Sequence, residues 1–310
     1  MTTIETAITL RDLRGDARRV RTERVVRGVL LGAATLSIVI SALIVLSLGR
    51  EAWTFVSQVE WASLWTSGWF PRRGLYDVKT LVTGSLLVTA IAMVVAIPVG
   101  LGSAVYLAEY ATARVRRVLK PMLEILAGIP SVVLGFFALT WISPQVVQRL
   151  NGEANLFNLA AAGIGVGILT VPLVASISED AMRSVPLALR EASAGMGARK
   201  ITTTVTVVVP AAVSGLVAAF IVAVSRAIGE TMVVAIAAGA TGGSQFTMNV
   251  FKPGQTMTAA MAAQAAGTDA VRGQALTFQS LFFVGLLLFL VTLGLNLVAD
   301  RYVRRVRQQY

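Results

Sequence analysis

Cysteine and histidine are both absent from the 310 residues. Without them no disulfide framework, Cys/His zinc site, thiol nucleophile or Ser-His-Asp arrangement can be built. Charge is scarce as well: 14% of residues are Asp, Glu, Lys or Arg, against about a quarter in an ordinary soluble domain. No G-x-x-x-x-G-K-[ST] string occurs, and the nearest, Gly195 to Thr202, lacks the glycine before its lysine, so the chain has no phosphate-cradling nucleotide loop. What is present is apolar. With 55% hydrophobic residues and a mean hydropathy of +0.74, the composition points to lipid as the solvent.

The excess of 27 basic over 16 acidic residues falls between long apolar runs and forms no single basic stripe, which speaks for membrane topology and against nucleic acid. A helix needs about 20 apolar residues to cross the hydrocarbon core. Six stretches qualify: 28–48, 81–107, 122–142, 156–178, 203–239 and 279–299. The first follows seven arginines between Arg11 and Arg27 and has no small-x-small cleavage site after it, so it is expected to be a retained span. The fifth is too long for one upright helix and contains Pro210, Gly215, Gly229 and Gly239, so it should be tilted, kinked or unwound.

Basic residues near span ends set orientation. One side collects nineteen: the seven of the N-terminal tail, then Arg114, Arg116, Arg117 and Lys120, then Arg183, Arg190, Arg199 and Lys200, and last Arg301, Arg304, Arg305 and Arg307. The other side has seven, Arg50, Arg72, Arg73, Lys79, Arg149, Lys252 and Arg272, and Arg226 is left inside span five. Both termini are therefore expected in the cytoplasm. The layout is a basic tail over 1–27, an all-α six-span domain over 28–300 and a basic tail over 301–310. The outer loop carries Trp53, Trp61, Trp65 and Trp69, the last three at i, i+4, i+8 on one face of any helix there; an interfacial aromatic belt is the expected role.

The loop between spans four and five, 179–200, is polar on one side and apolar on the other. Glu179/Arg183 spacing and Pro186 at a helix start predict two short helices. Such an element can dock its apolar anchors in a partner's groove while Gly195 and Gly197 permit a sharp turn. Glu191-Ala192-Ser193, then Gly197, then Val207, Val209 and Pro210, resembles the EAA loop of ABC importer permeases: E-A-A, three residues, G, nine residues, I-x-L-P. Ser replaces the second Ala, and Val replaces Ile and Leu. The resemblance implies a type I (MetI-like) permease fold and a coupling role for Glu191, Ala192, Ser193, Gly197 and Pro210 against an ATPase subunit. A capped surface helix ended by glycines is the plainer alternative.

Three more strings narrow the resemblance. Ala96 to Tyr110 around Pro98, Glu124 to Gly135 around Pro130 and Ser131, and Ser225-Arg226-Ala227-Ile228-Gly229-Glu230-Thr231 are similar to permease subunits of the bacterial phosphate-specific importer, of the PstC type more than the PstA type. The similarity covers nearly all of residues 28–300, while the first 27 residues and the 243–278 loop carry no string that can be assigned from sequence. It implies location in the bacterial plasma membrane with lipid around the spans. It also implies a homologous PstA-type second permease, a PstB-type ATPase dimer holding ATP and Mg, and an extracytoplasmic PstS-type phosphate-binding protein. The chain itself would hold no cofactor and do no covalent chemistry.

Arg226 and Glu230 are placed within a span, where a charge costs about 2.5–3.5 kcal/mol and faces a pathway or a partner. One helical turn apart, they can pair with each other and only glue helices together. Alternatively they serve an anion, since a guanidinium fork matches phosphate oxygens; Arg226, Glu230, Thr231 and Ser131 form the expected substrate path. Glu230 would then accept a hydrogen bond from the protonated oxygen that phosphate has and sulfate lacks. Glu124 is expected in solvent or beside Lys120. Gly128, Pro130, Ser131 and Gly135 either break span three or pack it closely, and Thr80, Thr83, Ser85 and Thr89 are mostly assigned to helix-to-helix bonds. A permease for sulfate, molybdate or another small solute fits the same coupling loop, and a proton-coupled carrier using Glu230 is the reading from another class.

Overall fold

The computed structural model describes residues 17–65, 68–239, 242–266 and 276–306; Arg11, Arg14, Arg272 and Arg307 lie outside them. The chain divides into two units, Met1–Arg50 and Glu51–Tyr310. Helix α1 (Ala17–Gln58) begins in the first, and its uncharged run from Val29 to Leu48 is helical throughout.

The second unit continues with a small antiparallel sheet of β1 (Gly68–Phe70), β2 (Leu75–Tyr76) and β3 (Ser244–Gln245), in the order β2-β1-β3. The tight turn between the first two strands places Gly74 at φ 72°, where a Cβ would be strained. Trp69 pairs with Tyr76 in this sheet and is buried, whereas Trp61 and Trp65 sit on a short 3-10 helix and are exposed. The expected single tryptophan face does not exist, because a strand begins where the helical spacing would have continued. Trp69 is core; its ring contacts Tyr76, which contacts Phe55 in turn.

The central pair is α2 (Val78–Val105) and, further along the chain, α5 (Leu159–Arg183). They approach through glycines. A Cβ on Gly163 or Gly167 would meet Ile91 or Val95 at 2.7 or 2.8 Å, and one on Gly100 would meet Val174 at 2.7 Å. Small residues four apart let the two backbones close, and dispersion then replaces lipid contacts. Asn158 caps α5 by accepting from Ala161 N at 2.7 Å, and its amide donates to Ser143 Oγ at 2.9 Å; the buried cap leaves no orphan donor.

Between these helices lie α3 (Ala113–Ala127) and α4 (Ser131–Leu150). The residues expected as one span, 122–142, fall on both, because Gly128, Ile129 and Pro130 interrupt the helix. Pro130 disfavours α backbone at the residue before it. Gly135 has the other expected role: a Cβ there would meet Ile236 at 3.0 Å.

After α5 comes α6 (Leu187–Gly195), then α7 (Lys200–Ala211) and α8 (Val213–Ile228), bent by 71°. Pro210 cannot donate to the carbonyl four residues back, and the backbone widens into a π-helical stretch at Thr204–Val208 before it bends at Ala212. A second interruption at 229–231 precedes α9 (Met232–Ala237). The region 243–278, unassigned from sequence, contains β3 and α10 (Met257–Ala265), whose Thr256 caps it by accepting from Ala259 N. The last helix is α11 (Thr277–Val306). Among the described residues five helices are long and apolar enough to cross a membrane, and six if the bent pair counts as one.

Candidate functional site

Arg226 occupies the last turn of α8, where a cation meets the negative end of the helix dipole. The expected pairing with Glu230 is not formed. The helix stops at Ile228, so Glu230 is no longer one turn along the same helix, and no ion pair among the described residues involves either side chain. What fixes the interruption is the backbone: Thr258 Oγ1 of α10 donates to the Glu230 carbonyl at 2.7 Å. Ser85 Oγ of α2 in turn accepts from Met257 N at 3.0 Å. Helix α10 thus holds the non-helical turn open from one side, against α2.

Arg226 is exposed to a cavity of about 340 Å³ between α3, α5 and α8, whose polar lining includes Lys120, Glu124, Ser176 and Glu179. Leu123, Leu169, Pro172 and Leu173 supply apolar walls. Glu230, Thr231 and Ser131 do not line it. Thr231 Oγ1 bonds the Gly229 carbonyl at 3.3 Å, and Ser131 opens α4 directly after Pro130. The four residues expected to form one path are therefore not brought together in this cavity.

One wall is an ion cluster. Glu179, fully buried on α5, accepts from Arg116 Nε at 2.6 Å, and Lys120 Nζ stands 3.4 Å from its other oxygen and 3.2 Å from Asp180. Burial lowers the Lys120 pKa, but the hydrogen bond to Asp180 and the charges of Glu179 and Asp180 outweigh it, and the net displacement is upward from 10.5. The expected Glu179/Arg183 local pair is absent because α5 runs on to Arg183 and turns Glu179 inward. Lys120 is likewise taken by these acids, not by Glu124.

The 179–200 segment holds one separate helix, α6, not two. Glu191 and Ala192 are exposed on it, Ser193 Oγ lies 2.8 Å from Thr203 Oγ1 on α7, and Gly197 turns the chain at φ 78°. Leu187 and Met196 are 65% and 88% exposed. Behind this outward face, Arg190 bonds the Val185 and Met182 carbonyls at 2.6 and 2.8 Å and Glu109 at 2.9 Å. Glu109 belongs to a π-helical turn, Tyr106–Tyr110, at the end of α2. The arrangement presents apolar anchors outward and ties them rigidly to two long helices.

The sequence pattern of the binding-protein-dependent transport system inner membrane component family matches residues 96–308. The chain belongs to this family. It is 30% identical over 292 residues to the phosphate transport system permease protein PstC of Mesorhizobium japonicum, with 88% of each chain covered. It is also 34% identical over 190 residues to the permease protein PstA 1 of Mycobacterium tuberculosis, covering 61% of this chain and 60% of that one. A chain of a bacterial alginate ABC transporter, crystallised with a pentasaccharide-bound periplasmic protein, superposes with a TM-score of 0.65 at 13% identity, over 94% of this chain and 98% of that one. That likeness establishes the fold, the MetI-like ABC permease arrangement expected from the EAA-like segment.

Sequence reasoning missed two features of this permease. The Glu109–Arg190 pair joins residues 81 positions apart, and Arg116–Glu179 joins residues 63 apart. The signal was present in a weak form: Glu109 and Glu179 are acids at the ends of apolar stretches, each on the side where basic residues crowd. A buried acid there requires a basic partner.

Proposed function

We propose that this permease imports inorganic phosphate, and that Arg226 is the cation the anion meets within the membrane. The observation that carries this reading is Arg226 itself: an arginine inside the bent fifth span, without an ion-pair partner among the described residues and exposed to a cavity large enough for a tetrahedral anion. A guanidinium in low dielectric must be compensated, and a mobile anion does so in passing. The similarity to relatives named as phosphate transport permeases, 30% identical across nearly the whole chain, supports phosphate over sulfate or molybdate.

In this reading both termini are cytoplasmic in a bacterial plasma membrane, and α6 is the coupling helix. Leu187 and Met196 enter a cleft of an ATPase subunit, which holds ATP and Mg, and Gly197 lets the chain return to the membrane. A second, PstA-type permease completes the path, and an extracytoplasmic phosphate-binding protein delivers the substrate. Closure of the ATPase dimer draws the two coupling helices together and opens the path outward; hydrolysis reverses it. Bending at Ala212 and the interruption at 229–231 let α8 respond without unpacking α2 from α5.

The test is reconstitution of the permease with its genomic neighbours in liposomes, with the binding protein outside. Labelled phosphate should accumulate only with ATP and compete with arsenate, and Glu191→Ala should abolish uptake while Arg226 is intact. ATP-independent uptake that collapses with an uncoupler would replace this reading by a proton-coupled carrier.

A further inference from the structure

A second cavity of about 360 Å³ adjoins the one at Arg226, and the two share Lys120 and Glu124. The second is otherwise lined by Ala113, Arg116, Arg117 and Pro121. These six positions recur at three- and four-residue intervals, so they form one stripe along α3. Helix α3 has no buried residue; in the stripe Ala113, Arg117, Pro121 and Glu124 are exposed, while Arg116 and Lys120 are half-buried against α5.

Within that stripe the charges differ in freedom. Arg116 and Lys120 are held by Glu179. Arg117 and Glu124 are in no ion pair among the described residues. A cationic stripe lowers the potential for an anion along its length, but the Glu124 carboxylate at its end nearest Arg226 repels one. The combination is useful only to an anion that carries a proton. Such an oxyanion donates its P–O–H to the carboxylate in a short charge-assisted hydrogen bond while its bare oxygens face arginine and lysine.

We infer that the anion leaves Arg226 along this stripe of α3 towards Arg117, and that Glu124, where the two cavities meet, selects oxyanions bearing a proton. The inference rests on the phosphate reading above and moves the discriminating role from Glu230 to Glu124. Hydrogen phosphate and hydrogen arsenate pass; sulfate, fully deprotonated at neutral pH, presents only acceptors to an acceptor. Sites built around a substrate hydrogen reject the analogue that lacks it more strongly than shape alone allows.

The test measures labelled phosphate bound by the reconstituted, nucleotide-free complex without its binding protein, displaced by unlabelled phosphate or by sulfate. In the wild type, sulfate should displace about tenfold less well than phosphate or worse, and Glu124→Gln should bring the two within about twofold. Arg117→Gln should weaken phosphate binding without changing that ratio, as a steering charge does. If Glu124→Gln binds phosphate and keeps the wild-type ratio, Glu124 does not select and the phosphate reading still stands. If the wild-type complex binds no phosphate and imports none, the phosphate reading itself fails and the inference with it.

Discussion

Arg190 on α6 and Glu109 at the end of α2 lie 2.9 Å apart, with the Glu109 side chain 7% exposed and Arg190 19%. The same guanidinium holds two backbone carbonyls at the end of α5 and its following turn, so one side chain joins the outward-facing helix to both members of the central pair. Helix α6 is thus tied to α2 and α5 through Arg190 as well as to α7 through Ser193 and Thr203.

Arg190→Ala should accordingly cost about 3 kcal/mol, because it leaves a largely buried carboxylate without its partner. Thermal unfolding of the detergent-solubilised complex measures this. Glu109→Gln, which leaves Arg190 its two backbone carbonyls and an amide oxygen to bond, should cost less and keep the transition cooperative; an Arg190→Ala protein as stable as wild type would show that the pair is idle.

Gly197→Ala should cost about 1 kcal/mol from backbone strain alone, since φ is 78° and a Cβ would meet nothing within 4 Å. Gly195→Ala is the control: it lies in α6 with equally open space and ordinary backbone, and should be neutral or slightly stabilising. ATPase activity coupled to uptake should fall in the first variant and hold in the second. Equal behaviour of the two would remove the turn from the mechanism.

Gly167→Val places a branched side chain against Val95 Cβ and the Ala92 carbonyl. Overpacking of this kind costs about 1–3 kcal/mol where neighbours can shift, and a backbone carbonyl in the way makes shifting difficult. The expected outcome is a lower yield of monodisperse protein on gel filtration, whereas Gly102→Ala, with open space around it, should match wild type.

Lys120 contributes to stability through its charged form. Its folded pKa is raised above 10.5, so the contribution is complete below that value and disappears as pH rises through the folded pKa. The stability difference between wild type and Lys120→Gln should stay constant from neutral pH to about pH 10 and close only above it. A difference that closes near neutrality would assign the effect to another group.

What was legible in the sequence was local or compositional. The apolar stretches follow from the hydrocarbon thickness, and the EAA-like segment has fixed spacing within twenty residues; both can be read without distant partners, although the stretch 122–142 falls on two helices because Gly128, Ile129 and Pro130 interrupt it. The Arg226–Glu230 pair failed for a tertiary reason. A helical spacing holds only while the helix holds, and Thr258 claims the Glu230 carbonyl from 28 residues away. Trp69 failed in the same way, taken by a strand pairing with Ser244, itself in a segment that carried no recognisable pattern. Of the two expectations for Glu124 the exposed one holds; its pairing with Lys120 does not form because Lys120 found two acids on α5, which no pattern along α3 could disclose.

The most direct measurement is ATP-driven phosphate uptake by the reconstituted complex carrying Arg226→Gln beside Glu230→Gln. With the fold and ATPase assembly intact, Arg226→Gln should lose at least about a hundredfold in uptake, the scale expected when a charged partner to phosphate is removed. Glu230→Gln should retain most uptake and the wild-type preference for phosphate over sulfate, because its backbone carbonyl, not its carboxylate, is the group the structure engages. Wild-type uptake by Arg226→Gln would contradict the assignment of this arginine to the anion path.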